Sequence, residues 1–200
     1  MEFQHVNVKL RVKDPEEINL EFVIPVFHGW IQDQTGDELL LDVADYRHVR
    51  SGPGMVLIGH EGNYSLDNTD DRLGVRYNRK APLDGNNQDR LTQATEAALR
   101  ACLRLESDPR LAGTIRFNGQ EMEVFINDRL LAPNSDATRD ALEGELHTFL
   151  SRLLADGDYA LTYPQDPRRL FSVRVTTSQI FEAAALLNNL YALAPASQPQ

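Results

Sequence analysis

The residue types best suited to chemistry gather within Leu39–Lys80, where two short apolar runs each give way abruptly to polar side chains. Leu39-Leu40-Leu41 leads into Asp42, Asp45, Tyr46 and His48, and Met55-Val56-Leu57-Ile58 leads into Gly59-His60-Glu61-Gly62-Asn63-Tyr64. Imidazoles and carboxylates held within a few ångströms of one another can exchange protons or bind a metal. A strand that stops at a glycine-flanked turn presents such groups at the rim of a sheet. Asp45, His48, His60, Glu61, Asn63 and Tyr64 are therefore the candidate ligand-binding set, with His28 and Asp42 as outlying members. Their convergence depends on strand direction. If 39–43 and 55–58 run parallel, their carboxyl ends coincide, although the connection 44–54 is short for a parallel crossover. If they run antiparallel, the two clusters fall at opposite ends.

The spacing matches no established ligand pattern: there is no HExxH, no CxxC and no HxxxH on a helix, so neither a metal site nor a catalytic residue is assigned. Gly59–Asn63 could expose backbone N–H groups to a phosphate. It lacks the GxxxxGK[ST] pattern and a following long helix, so a turn with both glycines at positive φ is expected. Asp67–Asp71 has the carboxylate density of a calcium loop, but Arg72 stands where glycine is required and Asn78 where a bidentate glutamate is required. A solvated hairpin tip is expected instead. Arg72, Arg76, Arg79 and Lys80 form a basic concentration. Arg76 and Asn78 would share a strand face, where they could bind a carboxylate or phosphate or pair with neighbouring acids. Cys102 falls on the apolar side of a predicted helix, and neither Ser51 nor Ser65 has a base beside it in sequence, so no nucleophile stands out.

The elements that must position these residues follow from periodicity. Val6, Val8, Leu10 and Val12 alternate as a half-buried strand. After a turn at 13–17, Ile18, Leu20, Phe22 and Ile24 resume the alternation, predicting an opening hairpin that Pro25 ends. Residues 26–32 then form a short aromatic connection, with one helical turn as an alternative, in which Phe27 and Trp30 either contact a partner or close the core. The runs 39–43 and 55–58 read as central strands covered on both faces. A hairpin is predicted for 64–66 and 73–77, a linker for 81–87, and helices for about 88–106 and 136–155. Asn118-Gly119 predicts a tight hairpin within 114–127, and a further hairpin pairs 159–163 with 171–175. Thr176 and Gln179 form a capping box for a last helix.

The implied fold is α+β, an antiparallel-rich sheet with helices mainly on one face. Its C-terminal part takes the β-α-β-β-α-β order of ferredoxin-like folds, plus an extra strand and a C-terminal helix. The expected organisation is one domain over 1–193, a sub-boundary candidate at 81–87, and a disordered tail at 194–200.

Composition narrows function by exclusion. Hydrophobic content of 42% and charged content of 25% are globular values. The net charge of −10 is spread over both halves, which argues against a nucleic-acid groove or an anionic membrane surface. The opening MEFQHVNVKLRV has neither the basic nor the apolar region of a signal peptide, and no run approaches the ~20 apolar residues of a membrane span. A single cysteine rules out an internal disulfide and favours a reducing compartment, so a soluble, cytoplasmic protein is expected. The reading favoured is a non-catalytic binding or interaction protein for an unknown small ligand or protein partner. The alternative is an enzyme with a His/carboxylate acid–base or metal site at the 45–64 loops. Whether a cofactor is bound is left open, and Ala183-Ala184-Ala185 in the last helix leaves homo-oligomer formation through that helix open.

Overall fold

The alternation at Val6, Val8, Leu10 and Val12 buries all four side chains of β1 (Val6–Val12) and makes it an interior strand of the sheet. The computed structural model describes residues 1–192 apart from Glu16, Glu17, Thr35, Asp37 and Ala112. Among these described residues, eight strands form one antiparallel sheet in the order β2-β3-β4-β5-β1-β6-β8-β7. β2 (Leu40–Tyr46), β3 (Gly54–Gly59), β4 (Gly62–Asp67) and β5 (Gly74–Arg79) form a meander on one side of β1. β6 (Phe117–Ile126), β8 (Phe171–Thr176) and β7 (Ala160–Thr162) lie on the other. Val8 stands opposite Tyr77 of β5 and Val124 of β6, so the segments before and after 81–87 share one sheet through β1.

Helix α1 (Val23–Asp33) packs on β2 and β3, and α2 (Asn87–Ser107) lies over β1 and β5. A capping box opens α2: the Asn86 side chain accepts from the Asp89 N–H while Asp89 accepts from the Asn86 N–H. Its stripe, including Leu91, Ala98, Leu99 and Leu105, is buried together with the free thiol of Cys102, which burial pushes well above its usual range. Ser135 caps α3 (Asp136–Leu153), whose Leu142, Leu146, Phe149 and Leu150 are buried. α3 contacts α2 and α4 (Ala183–Ala192), and α4 also contacts β6. The buried side of α4, Ala183, Leu186 and Leu190, packs within its own chain. No helix among the described residues is long and apolar enough to cross a membrane.

Several expectations are corrected. Residues 20–33 are helical and not the second strand of a hairpin: a short 3-10 turn, Leu20–Phe22, runs into α1. Pro25 falls in the first turn of α1, where its missing N–H breaks no helical hydrogen bond. Val23, Val26, Phe27 and Trp30 form the buried helical stripe, so Phe27 and Trp30 are core residues and not exposed contacts. β2 is an edge strand with Leu41 exposed, not a central strand covered on both faces. The expected 114–127 hairpin is one strand, β6, paired with β1 and β8 on either side. Gly119 does adopt a positive φ of 57°, but within an irregular stretch of β6 where the register with β1 shifts. Residues 74–176 therefore run β-α-β-α-β-β rather than β-α-β-β-α-β. The last helix starts at Ala183, and Thr176 still belongs to β8. Asp67 is buried rather than at a solvated tip, whereas Asp70 and Asp71 are positioned in a 3-10 turn. The acidic part of the turn at 16–17 and the tail 194–200 lie outside the described residues.

Candidate functional site

Antiparallel pairing of β2 with β3 places Leu40 opposite Gly59 and Asp45 opposite Met55. Asp45 and His48 thus lie at one end of the hairpin and His60 and Glu61 at the other, separated along the strand by about five residues or roughly 17 Å. Asp45 is held by Arg47, whose Nε, Nη2 and backbone N–H donate to its carboxylate at 2.7–3.1 Å and pull its pKa down to about 2. His48 is exposed on the edge. Asn63 alternates with Tyr64 on β4 and so faces the opposite side of the sheet. Of the six candidates, the structure brings Glu61 and Tyr64 to one concavity.

The turn that carries His60 and Glu61 is set by Glu38. Its Oε1 accepts from the Glu61 N–H at 2.6 Å and the Gly62 N–H at 3.2 Å, and the His60 N–H donates to Leu39 O. Neither Gly59 nor Gly62 has the positive φ expected of it. Crowding is the reason for both glycines. A Cβ on Gly62 would lie 2.6 Å from the Tyr77 ring, and one on Gly59 would lie 2.6 Å from the Glu38 carboxylate.

The concavity is a groove of about 650 Å³ between α1, α2 and the adjoining ends of β4 and β5. Aromatic side chains form much of its wall. The Trp30 and Tyr64 rings meet edge to face at 6.5 Å, and Tyr64 and Tyr77 are 5.0 Å apart. Burial pushes both phenols above their usual range, so they stay neutral and keep their O–H groups. From α2, Gln93 donates through Nε2 to the Tyr77 hydroxyl at 3.2 Å, and the Arg104 guanidinium lies 4.4 Å above the Trp30 ring. Each arginine of the wall has an acidic partner. Arg79 donates to Glu61 at 2.7 Å, Arg100 to Glu96 at 2.8 Å, and Arg104 reaches Asp33 at 3.5 Å. Tyr191 of α4 bridges Glu96 and Arg100.

Two buried polar atoms in this wall have no partner among the described residues: the indole N–H of Trp30, a residue only 3% exposed, and Oε1 of Gln93. Beneath the surface of the groove wall therefore stand an unmatched hydrogen-bond donor and acceptor, beside two neutral phenols, the half-buried ring of Tyr64 and the buried rings of Trp30 and Tyr77. Among the described residues, no group of three or more His, Cys, Asp or Glu side chains is placed to hold a metal.

Trp30, Tyr77, Gln93 and Arg104 were outside the candidate set. The sequence signal for Gln93 and Arg104 is a polar stripe on α2, Gln93, Glu96, Arg100 and Arg104, which recurs at helical spacing beside the apolar one, whereas Trp30 and Tyr77 come from α1 and β5 and share no such signal. The chain matches no protein-family model and no curated protein sequence.

Proposed function

We propose that the protein is a non-catalytic binding protein whose ligand is a small, planar, hydrogen-bonding molecule seated in the groove between α1, α2, β4 and β5. The observation that carries this reading is the pair of buried, unpartnered groups, Trp30 Nε1 as donor and Gln93 Oε1 as acceptor. Leaving such groups unmatched costs roughly 1–3 kcal/mol each. A ligand that enters deeply enough to bring a complementary acceptor and donor to them would recover that cost, while the half-buried Tyr64 ring takes one of its faces. The groove volume falls within the usual range for small-molecule sites. Because each wall arginine is already matched by a carboxylate or nearby acid, an uncharged ring is favoured over a strongly charged ligand. The acid–base alternative is weakened by the separation of Asp45 and His48 from His60 and Glu61. The groove opens between elements of one chain, so this reading requires no second copy.

Trp30 is the only tryptophan in the chain, so its emission reports on the groove alone. Titration with uncharged aromatic heterocycles is expected to quench or shift Trp30 emission saturably and to raise the melting temperature. Gln93→Met should weaken that binding by about tenfold while leaving the unliganded protein folded. Heterocycles that stabilise the protein without moving Trp30 emission, or that bind Gln93→Met as tightly, would overturn the assignment.

A further inference from the structure

The face of the sheet turned away from α2 is built from polar side chains. Along β1, Asn7 and Lys9 are buried on the opposite face from Val6, Val8 and Leu10. Lys9 Nζ donates to Asp67 at 2.5 Å, and Arg76 lies 3.9 Å from the same carboxylate. Arg11 and Arg72 share Glu121, Arg174 Nε donates to Glu123 at 2.9 Å, and Arg169 pairs with Asp70. Among the described residues this set joins six cations to four carboxylates, on a protein whose net charge is −10. Cations held out of water without full compensation are costly. Burial accordingly pulls Lys9 and Arg76 below their usual range against the attraction of Asp67.

The surplus lies beside a second cavity. Between β6, β8 and the β7–β8 connection is a pocket of about 160 Å³, room for about five water molecules. Phe125, with the Arg76 guanidinium 4.4 Å from its ring centre, contributes apolar wall, and Arg169, Arg174, Glu123 and Ser172 contribute polar groups. The connection is fastened by Asn134, which donates to Pro164 O at 3.0 Å and Asp166 O at 2.9 Å. Tyr163 also lines the pocket, and its hydroxyl is buried without a partner among the described residues. Asn7, opposite Phe125 in the ladder, likewise has a fully buried amide with neither end satisfied.

We propose that this pocket binds a small oxyanion, with Arg169 and Arg174 as its charge partners and the Tyr163 hydroxyl as a hydrogen-bond donor. Arg169 and Arg174 each hold a carboxylate already, so what the anion offsets is the excess of the whole set, in which Lys9 and Arg76 share Asp67 and Arg11 and Arg72 share Glu121. Among the described residues no such sharing occurs in the α1–α2 groove. The site is separate from the α1–α2 groove and does not depend on how that groove is read.

The test titrates the full chain with sodium phosphate, sodium acetate and sodium chloride at matched ionic strength, following heat of binding and melting temperature. Phosphate or acetate is expected to bind saturably and raise the melting temperature, with chloride inert and Trp30 emission unchanged. Binding by phosphate alone identifies a phosphoryl ligand, and binding by acetate alone a carboxylate. Tyr163→Phe removes only an unpartnered hydroxyl, so it should leave the anion-free melting temperature unchanged and weaken binding about tenfold. Arg169→Gln should abolish it. Absence of saturable binding by either anion overturns the proposal. So does wild-type affinity in Tyr163→Phe, or binding that moves Trp30 emission.

Discussion

Gly62 is a position where one methyl group decides the shape of the groove. A Cβ there would press on the Tyr77 ring and hydroxyl at 2.6 Å, and Tyr77 is itself buried and bonded to Gln93. Gly62→Ala is expected to destabilise the protein by roughly 1–3 kcal/mol, as overpacking does. An unchanged urea midpoint would mean that Tyr77 yields freely. Asp108 supplies a second residue-level expectation, in pH. Side-chain hydrogen bonds from Arg110, followed by its backbone N–H, hold the Asp108 carboxyl below its ordinary 3.8. A depressed folded value means the stabilisation is complete above about 3.8 and fades as pH falls through the lower folded value. Asp108→Asn should therefore lower the melting temperature at neutral pH and converge with the parent once the pH has fallen below that depressed folded value. The loss should stay under about 1 kcal/mol, because Arg110 is 41% exposed and solvent screens the pair.

At the scale of the element, the helices were the most legible parts of the chain. The stripes of α2 and α3 repeat every 3.6 residues over several turns, and Asn86 and Ser135 mark their starts. Asn86→Ala should cost about 1 kcal/mol by removing the cap, measurable as a shifted denaturation midpoint at constant slope. Leu146→Ala, at a buried position of α3, should cost roughly 2–5 kcal/mol. A urea midpoint equal to that of the parent would show that the α3 stripe does not pack against α2 and α4. Short elements were harder to read. Residues 18–30 satisfy a period of two at Ile18, Leu20, Phe22 and Ile24, and a helical period at Val23, Val26, Phe27 and Trp30. The helical stripe wins because its four side chains enter the core together.

For the whole molecule, the controlling feature is the position of β1 between β5 and β6. The first strand in the chain closes a sheet whose next member on one side, β6, begins more than a hundred residues later. Such pairings carry a large loop-closure cost and slow folding. Removing residues 1–12 exposes two unpaired edges and the underside of α2 at once. The truncated chain is expected to show no cooperative thermal transition by circular dichroism or calorimetry. A retained sharp transition would mean that the β2–β5 meander and the β6–β8 segment are independently stable.

The sequence by itself determined the class of the fold, the long helices, the β4–β5 and β7–β8 hairpins, and the buried faces of β1, α2 and α3. These are carried by side-chain period, a local property that survives whatever the element packs against. Only the tertiary structure decided strand order, strand direction and the edge position of β2, because a period of two specifies faces but not neighbours. The same gap explains the candidate site. Glu61 and Tyr64 were legible as rim residues of a strand end, yet their companions Trp30, Tyr77 and Gln93 come from three other elements. Asp45 and His48, near in sequence, were carried to the far end of the hairpin by antiparallel pairing. Of the Asn118-Gly119 pair, Gly119 has the positive φ expected of it, but the turn that the pair predicts is absent. With β1 on one side and β8 on the other, β6 continues as a single strand, and the positive φ serves an irregularity rather than a turn.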